Sequence, residues 1–354
     1  MKIDIHCHVI GNGKDIGNVD NDVYLNAEDN QHWFTRMFAS LLEEELERLG
    51  ADLNNDGAIS TGEYLDLLFR MLRLSEETDG IVLLCLDGLF HPKTGKLDEK
   101  RTDLWVSNRF MAGRIREMNE RLSAGGSRKR FFLGASISPN RKDWREELDF
   151  ADSAGAVLVK LIPSTQHINL TERKHKDFYK ALADRKLPLL CHVGPEYSFP
   201  EGIRNMKLDN YKGLAAPLES GVTVIAAHCA SPVFPVIDKN VMKDFFTFMD
   251  KANAGATVKL WADTSAMSLS TRLPIIPEVL DTFPAEWLVH GTDFPIPIDG
   301  WAHMPFVTRD VTPGEYLSIV KTKNPFDRDV RIKRAHGFDE AILENAEKVL
   351  RLRS

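Results

Sequence analysis

The chain lacks the features that would place it in several large protein classes. Only four of its 354 residues are cysteine, and Cys7, Cys85, Cys191 and Cys229 form no CxxC pair. That excludes a disulfide scaffold and a thiolate zinc cluster. No apolar run approaches the roughly 20 residues of a membrane helix. Lys2 opens the first expected strand with no apolar segment ahead of it, so no secretory leader is expected. Positive charge is not in excess: 45 Lys and Arg face 52 Asp and Glu, a net charge of -7, which argues against general nucleic-acid binding. The one basic run, Arg128-Lys129-Arg130, is short and precedes a strand. No strand is followed by G-x-G-x-x-G, so dinucleotide binding has no support. Neither an internal repeat nor a low-complexity linker divides the chain. Free thiols inside strands suit a reducing compartment, and the expectation is a cytoplasmic protein.

What is present is a regular rhythm of apolar, β-branched runs. They fall at Lys2–His8, Gly80–Asp87, Phe131–Ile137, Ala156–Ile162, Leu187–Val193, Val222–Cys229, Val258–Thr264 and Glu286–Gly291. Helical patterns lie between most of them, at Leu104–Leu122, Arg145–Ser153, Thr171–Arg185, Val241–Ala252 and Pro277–Phe283, with Asp339–Leu352 read as a closing helix. Near-continuous apolar strands alternating with helices indicate a parallel sheet buried on both faces. Eight such units predict an α/β fold, a (β/α)8 TIM barrel formed by residues 1–354.

Residues 30–76 form an insertion between the first and second strands. Trp33, Phe34, Met37, Phe38, Leu41, Leu42, Leu46 and Leu49 recur at helical spacing. The next stretch, Asp52 to Glu63, satisfies the EF-hand pattern D-x-[DN]-x-[DN]-G-x₅-E at every specified position. Asp52, Asn54 and Asp56 would supply side-chain oxygens, Ala58 its carbonyl, Ser60 a water and Glu63 a bidentate carboxylate. Oxygen ligands alone favour calcium. A second helix through Tyr64, Leu67, Leu68 and Met71 would complete an EF-hand-like helix–loop–helix. With only one such loop, a structural staple is the reading rather than a sensor.

In a barrel of this kind chemistry collects at the C-terminal ends of the strands. Those ends carry His6 and His8 on the first strand, Lys160 on the fourth, His192 on the fifth, His228 on the sixth and Asp293 just past the eighth. Alternation along the first strand predicts that His6 and His8 share one face while Ile5, Cys7 and Val9 take the other. Cys7, Cys191 and Cys229 would then face outward beneath the helices. Together the strand ends supply imidazole and carboxylate ligands around one axis, as an open divalent transition-metal site requires.

These motifs resemble the amidohydrolase superfamily, in its amidohydrolase-2 branch of metal-dependent TIM-barrel hydrolases. The carrying segments are Asp4-Ile5-His6-Cys7-His8, Val159-Lys160-Leu161-Ile162-Pro163, Leu190-Cys191-His192-Val193-Gly194, Ile225-Ala226-Ala227-His228 and His290-Gly291-Thr292-Asp293-Phe294-Pro295. The tail Ile342-Leu343-Glu344-Asn345-Ala346 looks like the family's terminal helix, whereas the EF-hand region departs from the pattern. The resemblance implies that His6, His8, His192 and Asp293 hold one or two metal ions, with zinc the first choice. It gives His228 either a second ion or the substrate to orient. Lys160 would be a carbamylated bridge between two ions, or else an ammonium at the pocket mouth that meets an anionic substrate.

The implied reaction is hydrolysis of a C–N or C–O bond in a small molecule by metal-activated water, with Asp293 as proton acceptor and His228 polarising the carbonyl. The alternative is a non-oxidative decarboxylase or related lyase of the same branch. A calcium-dependent binding module on an inactive barrel is a third reading. Glu196, Tyr197, Arg204 and Trp261 are candidates for the substrate pocket, with Asp263 near the end of strand seven. Trp301, His303 and Arg309 are candidates for a lid. His290 is an ambiguous neighbour of Asp293. Arg204 and Arg309 hint at an anionic substrate, and a homo-oligomer stays open.

Overall fold

A computed structural model describes residues 1–11, 23–26, 47, 49–50, 60–255, 257–307 and 311–353. All eight expected strands are present: β1 Ile3–His8, β2 Gly80–Leu84, β3 Arg130–Ser136, β4 Leu158–Leu161, β5 Leu189–Cys191, β6 Val224–Ala226, β7 Leu260–Asp263 and β8 Leu288–Val289. They stand side by side in chain order in one sheet, and every pairing along it is parallel. The sheet then closes on itself. Ile5 donates its N–H to the His290 carbonyl (3.1 Å), His8 to that of Phe294 (2.7 Å), and Asp293 to that of His6 (2.7 Å). The result is a (β/α)8 barrel.

Period-two alternation separates two cores. Ile3, Val82, Leu84, Leu158, Leu190, Ile225 and Val289 fill the barrel, while Ile81, Leu83, Leu133, Leu161 and Leu189 face the surrounding helices. The four cysteines belong to that outer layer, all buried and unpaired, and burial pushes their thiols up. They therefore serve as small apolar side chains.

The first strand breaks the alternation. Asp4 pairs with Ile81 and Cys7 with Leu83, so Ile5 and His6 both stand opposite the single residue Val82. This β-bulge leaves Ile5 in the barrel interior beside Ile3 and still turns His6 inward. Simple alternation had put Ile5 on the opposite face.

Helices follow the apolar pattern with shifted ends. Thr61–Leu74 buries Tyr64, Leu65, Leu68, Met71 and Leu72 on one face. Ser60 caps it in a reciprocal box: Glu63 N–H donates to Ser60 Oγ, and Ser60 N–H donates to the Glu63 carboxylate at 2.9 Å. Ser60 and Glu63 were expected as calcium-loop residues, and this is where the structure places them. Asp52, Asn54, Asp56 and Ala58, with the helix expected before them, lie outside the described residues. Leu104 and Trp105 are not helical. They pair antiparallel with Tyr24 and Leu25, and the helix starts at Asn108. The closing helix is also absent as a single rod: Ala341–Glu344 and Ala346–Val349 are two separate turns. Ala346, Val349 and Leu350 seal the barrel interior, and Arg351 N–H reaches the Val157 carbonyl at 3.1 Å. That plug sits where β4 begins, leaving the opposite mouth for chemistry.

Trp261, expected to line the substrate pocket, packs in this interior core, 4% exposed, with Ile3, Ile5, Leu190 and Val289. Trp261→Ala is therefore expected to lower unfolding stability by about 3–5 kcal/mol, measured by urea denaturation.

Candidate metal centre

Three ligand atoms converge at the open mouth. His6 Nε2, His8 Nε2 and Asp293 Oδ1 form a triangle with sides of 3.2 Å. Donors bound to one ion at about 2.0–2.1 Å in tetrahedral positions lie about 3.3–3.4 Å apart, so the triangle has the size of a coordination face. The backbone is arranged to make it. The bulge turns His6 inward, and Asp293 takes a left-handed conformation with φ 67°, a region that L residues seldom adopt and that clusters at functional sites. Gly291 lets the two segments meet, since a Cβ there would lie 2.7 Å from the His6 Cβ.

Asp263, at the end of β7, organises the imidazoles. Its Oδ2 accepts from His6 Nδ1–H at 2.7 Å. Its Oδ1 accepts from the backbone N–H groups of His228 (2.8 Å) and Ser265 (3.0 Å), and from the Ser265 hydroxyl. Burial raises a carboxyl's pKa, but the His6 and His228 imidazoles and the Ser265 hydroxyl together hold Asp263 well below its ordinary range. An ionised carboxylate can only accept, so His6 carries its proton on Nδ1 and offers the Nε2 lone pair to the triangle. His228 is set in a parallel way. Its Nδ1 lies 2.8 Å from Ser265 Oγ and 3.2 Å from the Ser265 carbonyl, which leaves Nε2 bare, 3.9 Å from Asp293 Oδ2. His228, Cys229 and Ala230 are three consecutive left-handed residues, and this turn is what swings the His228 ring over the mouth.

His192 completes the imidazole wall. Its ring centroid is 5.1 Å from that of His228, and its buried Nε2 has no hydrogen-bond partner. Glu196 Oε2 is 3.7 Å away. Burial pushes the His192 imidazole down to about 4, so it too presents a neutral lone pair. Burial likewise raises Asp293, but the His6, His228 and His8 imidazoles hold it well below the usual carboxylate range. His192 Nε2 has no protein partner among the described residues, and a divalent cation would satisfy it together with the neighbouring imidazole nitrogens and the ionised carboxylate. Among the described residues, two groups are sized for an ion: His6, His8, Asp293 and His6, His228, Asp263. His192 lies outside both. Asp263 in the second is already committed to four donors.

Lys160 is fully buried at the centre, its Nζ 3.0 Å from His6 Nε2. Burial lowers its ammonium. An ammonium there would bind the lone pair that an ion needs, so beside an ion Lys160 must be neutral or carry a modified amine.

The other expected pocket residues divide. Glu196 reaches the centre. Tyr197 donates to Asp238, and Arg204, half exposed, pairs at 2.7 Å with Glu201 on its own short helix. His303 is no lid: it is buried, with Nδ1 2.8 Å from His336 Nε2 and Nε2 3.0 Å from the Ser268 carbonyl. Trp301 is exposed, and Arg309 lies outside the described residues. His290 is buried and lines a small void with Lys333 and Phe338. Sequence reasoning underused Asp263. Its period-two spacing from the inward Trp261 was the available signal. Nothing in the sequence marked Ser265.

The amidohydrolase family matches residues 101–352. Among solved structures, the chain resembles an uncharacterized TIM-barrel protein from Bordetella bronchiseptica (14% identity, TM-score 0.51, covering 98% of this chain and 99% of that one). It also resembles a candidate amidohydrolase from Staphylococcus aureus (12%, TM-score 0.51, 99% of each). A third is 5-carboxyvanillate decarboxylase from Sphingomonas paucimobilis (12%, TM-score 0.50, 99% of each). At these identities the likeness concerns the fold. No curated relative matches the chain. Asp263→Asn would remove the charge that fixes the His6 imidazole, and is expected to weaken metal affinity about 10- to 100-fold, read by chelator competition.

Proposed function

From a chain that belongs to the amidohydrolase family and is a metal-binding TIM-barrel enzyme acting on a small molecule, we propose a metal-dependent, non-oxidative decarboxylase of a small carboxylic acid. The observation that carries the metal part is the triangle of His6, His8 and Asp293. The choice of decarboxylation is supported by the whole-length fold match to 5-carboxyvanillate decarboxylase. His6, His8, His192 and Asp293 would hold the ion, with Lys160 and His228 flanking it. Three imidazoles and a carboxylate suit zinc among the divalent metals.

When bound, the ion would supply Lewis-acid polarisation of a substrate oxygen. Asp263 keeps His6 in the tautomer with Nε2 free for the ion, and Ser265 holds His228 Nδ1 so that its Nε2 is free for the substrate. His228 Nε2 takes up a proton and delivers it to the carbon that loses its carboxyl group. The C–C bond breaks, its electron pair stays on that carbon, CO2 leaves, and the proton forms the new C–H bond. Burial lowers His228 well below its ordinary range, with the Asp293 charge opposing and the Arg272 charge assisting, so a proton placed there is readily given up.

Hydrolysis of a C–N or C–O bond is the second reading, with Asp293 accepting the proton of water. The two separate cleanly. A decarboxylase releases CO2 without consuming water, and His228→Ala should slow that release by about 10²- to 10⁴-fold. Chelation is expected to abolish turnover and zinc or manganese to restore it. Full activity in rigorously metal-free protein would defeat both readings. The EF-hand pattern in residues 52–63 supports calcium as a separate ion, and calorimetric titration should show one site that Asp52→Ala removes.

A further inference from the structure

Arg272 follows β7 in a 3-10 turn, Ser270–Ile275, and is 3% exposed. Its Nε donates to the Pro232 carbonyl at 3.3 Å. Among the described residues its two terminal nitrogens have no hydrogen-bond acceptor and it forms no ion pair. Buried arginines ordinarily sit on a carboxylate, because removing a guanidinium from water without one is costly. Arg141, largely buried elsewhere in the barrel, follows that rule and lies 3.2 Å from Asp87. Arg272 instead lies within electrostatic reach of Asp293, Asp263 and Glu196 and of His228 without touching any carboxylate. Next to Pro232, the Ser231 hydroxyl is also buried and unpartnered.

We propose that Arg272 is the anion anchor of the centre: its free guanidinium edge receives a carboxylate of the substrate and so selects small carboxylic acids. A planar guanidinium with two free terminal nitrogens matches a carboxylate through paired N–H···O bonds. Asp293, Asp263 and Glu196 nearby would repel a phosphate dianion more than a carboxylate monoanion. The inference rests on the reading of a carboxylic-acid substrate, and it replaces Arg204, which is already paired with Glu201, as the reason for an anionic ligand.

The test uses the full-length, zinc-loaded protein with three probes: benzoate, its neutral isostere benzamide, and phenylphosphonate. Benzoate should bind at least 10-fold more tightly than either of the others. Arg272→Gln should weaken benzoate at least 10-fold with metal content unchanged, and Arg272→Lys, which keeps the charge but loses the fork, should weaken it less. A crystal structure of the wild-type benzoate complex needs no variant, and should place the carboxylate on the Arg272 terminal nitrogens. Equal binding of benzoate and benzamide, tighter binding of phenylphosphonate, unchanged affinity in Arg272→Gln, or a carboxylate seated away from Arg272 would each overturn the proposal. Failure to release CO2 from any aromatic acid, with benzoate still on Arg272, would count against decarboxylation alone.

Discussion

One buried carboxylate holds the centre together. Asp263 accepts hydrogen bonds from the His6 ring, the His228 backbone, and the Ser265 backbone and hydroxyl. It thereby ties the sixth and seventh strands to the first, fixes the tautomer of the His6 imidazole and holds the Ser265 hydroxyl that meets the His228 ring. A buried carboxylate is costly without partners. Here four donors offset that cost, and the charge stays where it can direct lone pairs toward a cation. Without this residue His6 could place its proton on either nitrogen, and the 3.2 Å triangle would have no defined donor face.

Around that carboxylate the backbone bears strain. His228, Cys229, Ala230 and Asp293 all adopt left-handed conformations, each costing about 1–3 kcal/mol. The β1 bulge and the contact of Gly291 with His6 belong to the same arrangement. A regular strand would have sent Ile5 and His6 to opposite faces, and a side chain at position 291 would have pushed His6 away. The eight-stranded wall and its apolar interior supply the rigidity that keeps these conformations populated.

The result is a site of unusual charge balance. Bare imidazole nitrogens and the ionised Asp293 ask for a cation at the mouth. Arg272, buried without a carboxylate, asks for an anion beside it. An acid substrate bridging a metal ion and a guanidinium satisfies both demands together. The same pairing would orient a carboxyl group relative to His228, whose Nε2 no short contact ties to the triangle.

The sequence by itself determined the barrel and pointed to the residues that converge at its mouth. Apolar period-two runs separated by helical patterns are local signals, and strand-end histidines become neighbours once eight strands close. That is why His6, His8, His192, His228 and Asp293 were legible. Tertiary structure decided the rest. The bulge in β1 depends on its register against β2, which no local pattern encodes. Trp261 and Arg204 looked like pocket residues until packing assigned one to the core and the other to Glu201. The roles of Asp263 and Arg272 are set by which partners each has or lacks. Such partnerships join residues far apart in the chain, and hydrogen-bond accounting of this kind exists only after the chain has folded.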